Sequence, residues 1–221
     1  MANNLKIKRI PPTTVARLPL YFRCLQAIQN RNVDSISSFE LAELTGHNAA
    51  QLRKDLSYLG EFGTRGVGYD VNELTHQIGK WLGVAKVRTV AIVGAGHLGQ
   101  ALCNYKRFSD KGFRVVAIYD NDRAKIGQEI AGVKIKNFDD FFLDASFQID
   151  VAIIATPAES AQDVVDELVA AGVKSILNFA PTKIEVGVGV CIRNVDFLTE
   201  LQIMGFHLAS VDHGLSSDCC K

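Results

Sequence analysis

Apolar residues recur at helical spacing over the first third of the chain. Across residues 14–30, Val15, Leu18, Phe22, Leu25 and Ile28 share one face, the period of an amphipathic helix. Ser37-Ser38-Phe39-Glu40 reads as a capping box that opens a short helix through Leu44, closed by Gly46. Asn48 opens a third helix whose inward face is Ala49, Leu52, Leu56 and Leu59, ending at Gly60. Three short helices with a tight turn over residues 45–48 predict a helix-turn-helix. Glycines 63, 66 and 68, interleaved with Phe62, Val67, Tyr69 and Val71, predict a hairpin with Arg65 near its tip. A helix-turn-helix followed by a hairpin is a winged helix. A further helix over 72–82 leads to a linker around 83–88.

From Thr89 the pattern changes. Apolar runs at 90–93, 115–119, 151–155 and 175–177 alternate with helical periodicity over 98–109 and 160–171. That is the rhythm of βαβ units and of a parallel sheet covered on both faces. Residues 184–193 read as one more strand. Over 195–209, Phe197, Leu198, Leu201, Met204 and Leu208 form an apolar stripe too broad for an isolated terminal helix. The predicted fold is therefore α/β. A winged helix occupies 1–84, a Rossmann-like parallel-sheet domain 85–194, and a dimerisation helix and tail 195–221.

Charge adds one asymmetry. The formal net charge is zero, yet residues 1–84 carry ten basic side chains against seven acidic ones, leaving the remainder at −3. A basic module joined to an acidic one is a weak cue for nucleic acid. The five cysteines, Cys24, Cys103, Cys191, Cys219 and Cys220, show neither metal-ligand spacing nor a disulfide framework. The opening Met-Ala-Asn-Asn-Leu-Lys lacks the apolar core of a signal peptide, and no apolar run reaches membrane length. A cytoplasmic protein without membrane or metal partners is expected.

The most informative motif follows the first strand of the second domain. Residues 90–93 run directly into Gly94-Ala95-Gly96-His97-Leu98-Gly99 and then a helix. The first glycine makes the turn, the second admits a pyrophosphate, and the third lets helix and strand pack closely. The helix start adds free N–H groups for the phosphates. An acid at the end of the next strand should accept ribose hydroxyls, and Asp120 stands there. It favours NAD(H) over the 2′-phosphorylated cofactor, although Arg123 lies close by in sequence. The alternatives are a domain that binds nothing or one that takes coenzyme A. His97 reads as a polar residue tolerated on the phosphate turn. Thr156, Asn178 and Phe179, at later strand ends, are candidates to line the ribose and nicotinamide.

On the third helix, Gln51, Arg53, Lys54, Ser57 and Tyr58 lie off the apolar face. Arg and Gln match the edges of guanine and adenine, and Lys matches phosphate, so this face suits a major groove. Arg65 on the wing suits a narrow minor groove.

These motifs together resemble the Rex family of bacterial redox-sensing repressors. The matching stretches are Arg17-Leu18-Pro19-Leu20-Tyr21, residues 36–42, residues 51–58, Phe62-Gly63 through Gly68-Tyr69, residues 93–99, Ala161-Gln162, residues 178–181 and Val195-Asp196. Departures are His97, where an asparagine is common, and the Cys219-Cys220 tail. The resemblance implies a homodimer with an exchanged C-terminal helix, NADH and NAD+ as competing ligands, and release from operator DNA when NADH binds. It also implies a switch formed by Arg17, Tyr105 and Asp196, with Phe197 reaching toward the partner's nicotinamide. We expect Asp196 to pair with Arg17 and with Tyr105, the pairing that belongs to each state being left open. A two-fold reader would take a pseudo-palindromic site. An oxidoreductase is disfavoured. About forty residues remain beyond the fingerprint domain, too few for a substrate domain, and no His or Lys paired with an acid offers a proton shuttle.

Overall fold

The computed structural model describes residues 10–64, 66–143 and 148–212, without the side chains of the last two. The chain divides into two compact units, one ending at Ala85 and the other beginning at Lys86. Among the described residues no helix is long and apolar enough to cross a membrane.

The first unit contains α1 (Pro12–Gln29), β1 (Ser35–Ile36), α2 (Ser38–Thr45), α3 (Ala49–Ser57), β2 (Tyr69–Asp70) and α4 (Val71–Leu82). Proline opens α1, where the missing N–H costs nothing. The predicted capping box is present on α2: Ser37 Oγ accepts from Glu40 N, and the Glu40 carboxylate accepts from Ser37 N. Asn48 caps α3 by accepting from Gln51 N at 2.7 Å. Leu18, Leu25, Leu41, Leu52, Leu56, Leu74 and Ile78 close a single core.

Two expectations for this unit need correction. Val15, predicted to face inward, is 47% exposed, while Thr14 and Tyr21 are buried. The inward face is turned by one position because Thr14 and Tyr21 both find a polar partner on α3. The hairpin over 61–71 is also different. Tyr69 and Asp70 pair antiparallel with Ile36 and Ser35, and among the described residues the wing itself closes through an isolated Thr64–Gly68 bridge. Glycines 63, 66 and 68 all have positive φ, which interrupts an extended strand. At Gly68 a Cβ would stand 2.5 Å from Ile36 O, so the wing can lie against β1 only with glycine there.

The second unit contains β3 (Arg88–Val93), α5 (His97–Cys103), α6 (Arg107–Asp110), β4 (Phe113–Asp120), β5 (Glu129–Ile130), β6 (Val133–Asn137), a 3-10 helix (Phe138–Leu143), β7 (Val151–Ile154), α7 (Ala158–Ala170), β8 (Ser175–Asn178), β9 (Cys191–Asn194) and α8 (Phe197–Asp212). Among the described residues the sheet order is β5-β6-β4-β3-β7-β8-β9, parallel except for the β5–β6 ribbon. Without β5 this is the doubly wound order 3-2-1-4-5-6, which reverses direction between β3 and β7. Alternating residues of β3 feed the two cores, Ala91 and Val93 on one face and Val90 and Ile92 on the other. The helix expected over 98–109 breaks into α5 and α6, with Asn104, Tyr105 and Lys106 between them. Of the strand expected over 184–193 only β9 forms.

Candidate functional site

The carboxyl ends of β3, β4 and β7 meet around a cleft of about 510 Å³. Gly94 leaves β3 at φ +100°, and a Cβ there would stand 2.5 Å from Ala155 O at the end of β7. Gly99 lies on α5 directly against the Gly94 carbonyl, with which any Cβ would collide. Gly96, the cap of α5, faces open space with nothing within 4 Å of an added Cβ. The chain's own packing requires Gly94 and Gly99. Gly96 leaves room for something from outside. Beside it, His97 is exposed and Leu98 half-buried.

Asp120 ends β4 at the rim of this cleft. Its Oδ2 accepts from Ala95 N at 2.7 Å and from Lys125 Nζ at 3.1 Å, and its Oδ1 accepts from Asp122 N at 2.8 Å. Burial alone would raise its pKa, but the N–H groups of Asp122 and Ala95 and the Lys125 ammonium outweigh it and hold the carboxyl below its ordinary value. The cation beside Asp120 is thus Lys125, whereas Arg123, the basic neighbour noted in the sequence, is exposed. Ala155, Thr156 and Pro157 form the opposite wall. Thr156 Oγ1 is buried with no hydrogen-bond partner among the described residues, which leaves its capacity to donate and accept unused.

Asn178 ends β8. It is fully buried, its Nδ2 donates to Ala180 O, Thr182 O and Asn194 Oδ1, and its Oδ1 accepts from Ala180 N. Its amide therefore holds the turn over residues 178–182, and Asn178 is not among the residues that line the cleft. Phe179 follows it half-buried, 5.8 Å from the ring of Phe197.

In the first unit, Arg53, Lys54 and Ser57 lie on the exposed face of α3. Arg53 Nη1 donates to Ser38 Oγ at 2.9 Å, and a groove of about 420 Å³ runs between these residues and the wing at 62–69. Tyr58 follows the last helical residue as its half-buried cap, so α3 is shorter than the sequence suggested. Arg65 lies outside the described residues. Gln51 faces partly inward and donates to Asp55 Oδ1 at 3.0 Å.

Asp55, within the 51–58 stretch, is the carboxylate with the most hydrogen bonds among the described residues of the unit. It is fully buried and accepts five hydrogen bonds, from Thr14, Tyr21, Gln51 and both arms of Arg17. Arg17 binds it in fork geometry, Nε–Oδ2 at 2.6 Å and Nη2–Oδ1 at 2.7 Å. Burial opposes ionisation, but these donors win and set the pKa at about 2. The same burial, reinforced by Asp55, pushes the Tyr21 hydroxyl up. A signal existed in the sequence: position 55 falls within the 52–56 stripe, opposite polar residues spaced by three and four on the first helix.

Two family comparisons match the two units separately. A family described as putative DNA-binding protein N-terminus matches residues 9–57, and one described as CoA binding domain matches residues 85–182. Curated relatives match the chain as a whole. The redox-sensing transcriptional repressor Rex of Streptomyces avermitilis is 52% identical over 200 residues, covering 90% of this chain and 79% of its own. That of Pelotomaculum thermopropionicum is 42% identical, covering 92% and 96%. The chain belongs to the Rex family. Among solved structures it is similar to RSP, a Rex-family repressor, crystallised with β-NAD+ and operator DNA (TM-score 0.86, 35% identity, 93% of this chain and 95% of that one). RSP with β-NADH gives a TM-score of 0.83 at 34% identity, covering 93% and 97%. The curated Rex relatives are named as repressors and not as enzymes, and the match to a coenzyme A family reflects a fold that Rex shares with such modules.

The three residues that the Rex resemblance assigns to a switch stand as follows. Arg17 is engaged by Asp55 within its own unit. Asp196 caps α8: its carboxylate accepts from Leu198 N at 2.9 Å and from Thr199 Oγ1 at 2.7 Å. The Thr199 hydroxyl first, then the Leu198 N–H, holds its pKa below the ordinary value. Tyr105 lies in the break between α5 and α6, half-exposed and edge-on to Phe108 at 5.2 Å. Phe197 and much of α8 are exposed, Leu201 at 63% and Leu208 at 70%. Cys219 and Cys220 lie outside the described residues.

Proposed function

We propose that this Rex-family chain is a homodimeric repressor that grips pseudo-palindromic operator DNA with two winged helices and lets go when NADH fills the cleft. The observation that carries the reading is the cleft at the β3–β7 reversal. An open glycine, an ionised Asp120 and the unpartnered Thr156 hydroxyl converge there on a dinucleotide-sized space. The adenosine ribose lies at Asp120, the pyrophosphate at the Gly94–Gly99 turn, and the nicotinamide half toward Phe179, Tyr105 and the partner's helix. NAD+ and NADH differ at the nicotinamide ring by one hydride and one charge. A ligand shifts a two-state protein only through its difference in affinity for the two states, so the sensing contacts belong at that ring.

The exposed apolar stripe of α8 supports the dimer, since a face of this size is stable in water only when covered. Exchange of that helix would bring Asp196 and Phe197 to the partner's site, linking the ring to the spacing of the two winged helices. Such a repressor works where its operator is, in the cytoplasm. A DNA fragment selected by the purified protein should shift in a gel without ligand or with NAD+, and the shift should vanish with NADH. Persistence of the shift at saturating NADH, with binding verified by calorimetry, overturns the reading.

Readout divides between neighbouring residues. Arg53→Ala should cost about 1–3 kcal/mol on the specific site and relax preference at one base pair. Lys54→Ala should weaken all sequences alike and flatten the salt dependence. Arg65 serves the minor groove beside them. Binding isotherms over operator variants at two salt concentrations check the division; identical losses for Arg53→Ala and Lys54→Ala across every variant would refute it.

A further inference from the structure

The second unit carries more carboxylates than cations along its length, yet its cations are not spread evenly. In a parallel sheet the strands all begin at one edge, here the edge opposite the cleft. Within three residues of the starts of β3, β4, β7 and β8 stand five cations, Lys86, Arg88, Lys111, Arg114 and Lys174, and two carboxylates, Asp110 and Asp150. The backbone holds these approaches side by side. Arg88 N donates to Gly112 O at 2.7 Å, Asp150 N to Thr89 O at 3.1 Å, and Cys191 N to Lys174 O at 2.8 Å. Asp150 is already engaged, accepting from Thr89 N at 3.0 Å and from Arg88 Nη1 at 3.4 Å. Lys86, Lys111, Arg114 and Lys174 are exposed. An acidic unit therefore presents one basic edge.

We propose that this edge is a second, sequence-independent DNA surface, taking the sugar-phosphate backbone of the duplex that flanks the operator half-sites. The inference rests on the DNA-binding reading above. Three considerations support it. First, the dimensions suit a phosphate track. Strands lie about 4.8 Å apart, so β4 to β8, across β3 and β7, spans about 14 Å. That is about four phosphates along one DNA strand at roughly 3.4 Å of rise each. Second, lysine and arginine on long stems can follow such a track without a shaped pocket, and phosphate accepts from both. Third, residues 83–85 alone join this edge to the end of α4, in the unit that grips the operator. Singly, an exposed cation holds a phosphate weakly. Tethered to a site already bound, the same contacts form at high effective concentration and add to the whole.

The test uses the full chain and a DNA fragment that it selects, in two lengths. One is trimmed to the pseudo-palindrome, and the other is extended on each side by about ten base pairs of unrelated sequence, one helical turn. Wild type should hold the extended fragment at least about fivefold more tightly, with a steeper loss of affinity as salt rises. The neutral variant Lys86→Gln/Arg114→Gln/Lys174→Gln should bind both lengths equally, and the trimmed fragment within about twofold of wild type. Its melting temperature and its NADH affinity by calorimetry should be unchanged, since these side chains lie at the edge away from the cleft. The charge-preserving variant Lys86→Arg/Arg114→Lys/Lys174→Arg should keep the advantage of the longer fragment. If the neutral triple variant does not fold, Arg114→Gln and Lys174→Gln tested singly should each flatten the salt dependence on the extended fragment by about 1–2 in log–log slope for the dimer.

Equal binding of the two lengths by wild type overturns the inference alone. So does a length advantage that survives in the neutral variants, or one that is lost in the charge-preserving variant, because charge would then not be its cause. If wild type retains no fragment at all, the DNA-binding reading falls and takes the inference with it.

Discussion

Asp55→Ala is expected to lower the stability of the winged-helix unit by about 3–5 kcal/mol and to abolish operator binding at temperatures where the parent binds. The carboxylate is fully buried and is the shared acceptor of Thr14, Tyr21, Gln51 and Arg17. Removing it leaves buried hydroxyls without an acceptor and a guanidinium, only 21% exposed, without its counter-ion. The damage is localised, because these groups connect α1 to α3, the helix proposed above to read DNA. Trp81, the only tryptophan, lies on α4 in the same unit, so its fluorescence reports the urea midpoint of that unit. A midpoint within error of wild type would show that the network is dispensable.

The same group gives a pH signature. The folded carboxyl titrates at about 2, below the usual 3.8. A depressed folded value contributes stability that is complete above the unfolded pKa and is lost as pH falls through the window from about 4 to about 2. The contribution is on the order of 2 kcal/mol. Acid unfolding followed by Trp81 should therefore show a component across that window that is missing in Asp55→Ala.

Glycine substitutions at the cleft should separate fold from ligand. Gly99→Ala is expected to destabilise the sheet unit and to weaken NADH binding by at least about a hundredfold, or about 3 kcal/mol. Its methyl would collide with the Gly94 carbonyl, and only displacement of α5 from β3 relieves that. Gly96→Ala should leave thermal unfolding unchanged, because its Cβ meets nothing, yet should weaken NADH where the pyrophosphate approaches. Calorimetry for binding and differential scanning for stability distinguish them. A destabilised Gly96→Ala, or a fully stable Gly99→Ala, would contradict the roles drawn from the geometry.

Legibility followed the range of the interactions. The capping box at Ser37 and Glu40, the stop at Gly46 and the cap at Asn48 appear where the sequence put them, because their hydrogen bonds span three or four residues. The strand–glycine–helix succession and Asp120 at the end of β4 were legible for the same reason. Two longer elements were misjudged. Helical periodicity over 98–109 hid the break at Tyr105, and apolar residues over 184–190 read as strand although that segment is held largely by Gln162, which bonds both the N–H and the carbonyl of Glu185. Periodicity reports which residues prefer burial and not where the backbone finds its partners.

The sequence by itself determined the change from helical to strand–helix texture before Thr89, the local caps and turns, the strand–glycine–helix succession and the acid at the end of β4. Each depends on backbone conformations and hydrogen bonds among near neighbours. The tertiary structure decided that Asp55 is a buried anchor rather than a surface charge, and that Arg17 is spent on it across 38 residues. It decided that Lys125 and not Arg123 stands beside Asp120, that the Asn178 amide is spent on Ala180, Thr182 and Asn194, and that the buried Thr156 hydroxyl is left without a partner among the described residues. Whether a polar group is a charge in water, a buried partner or an open ligand contact depends on what the fold brings within 3 Å of it, and no local pattern encodes that.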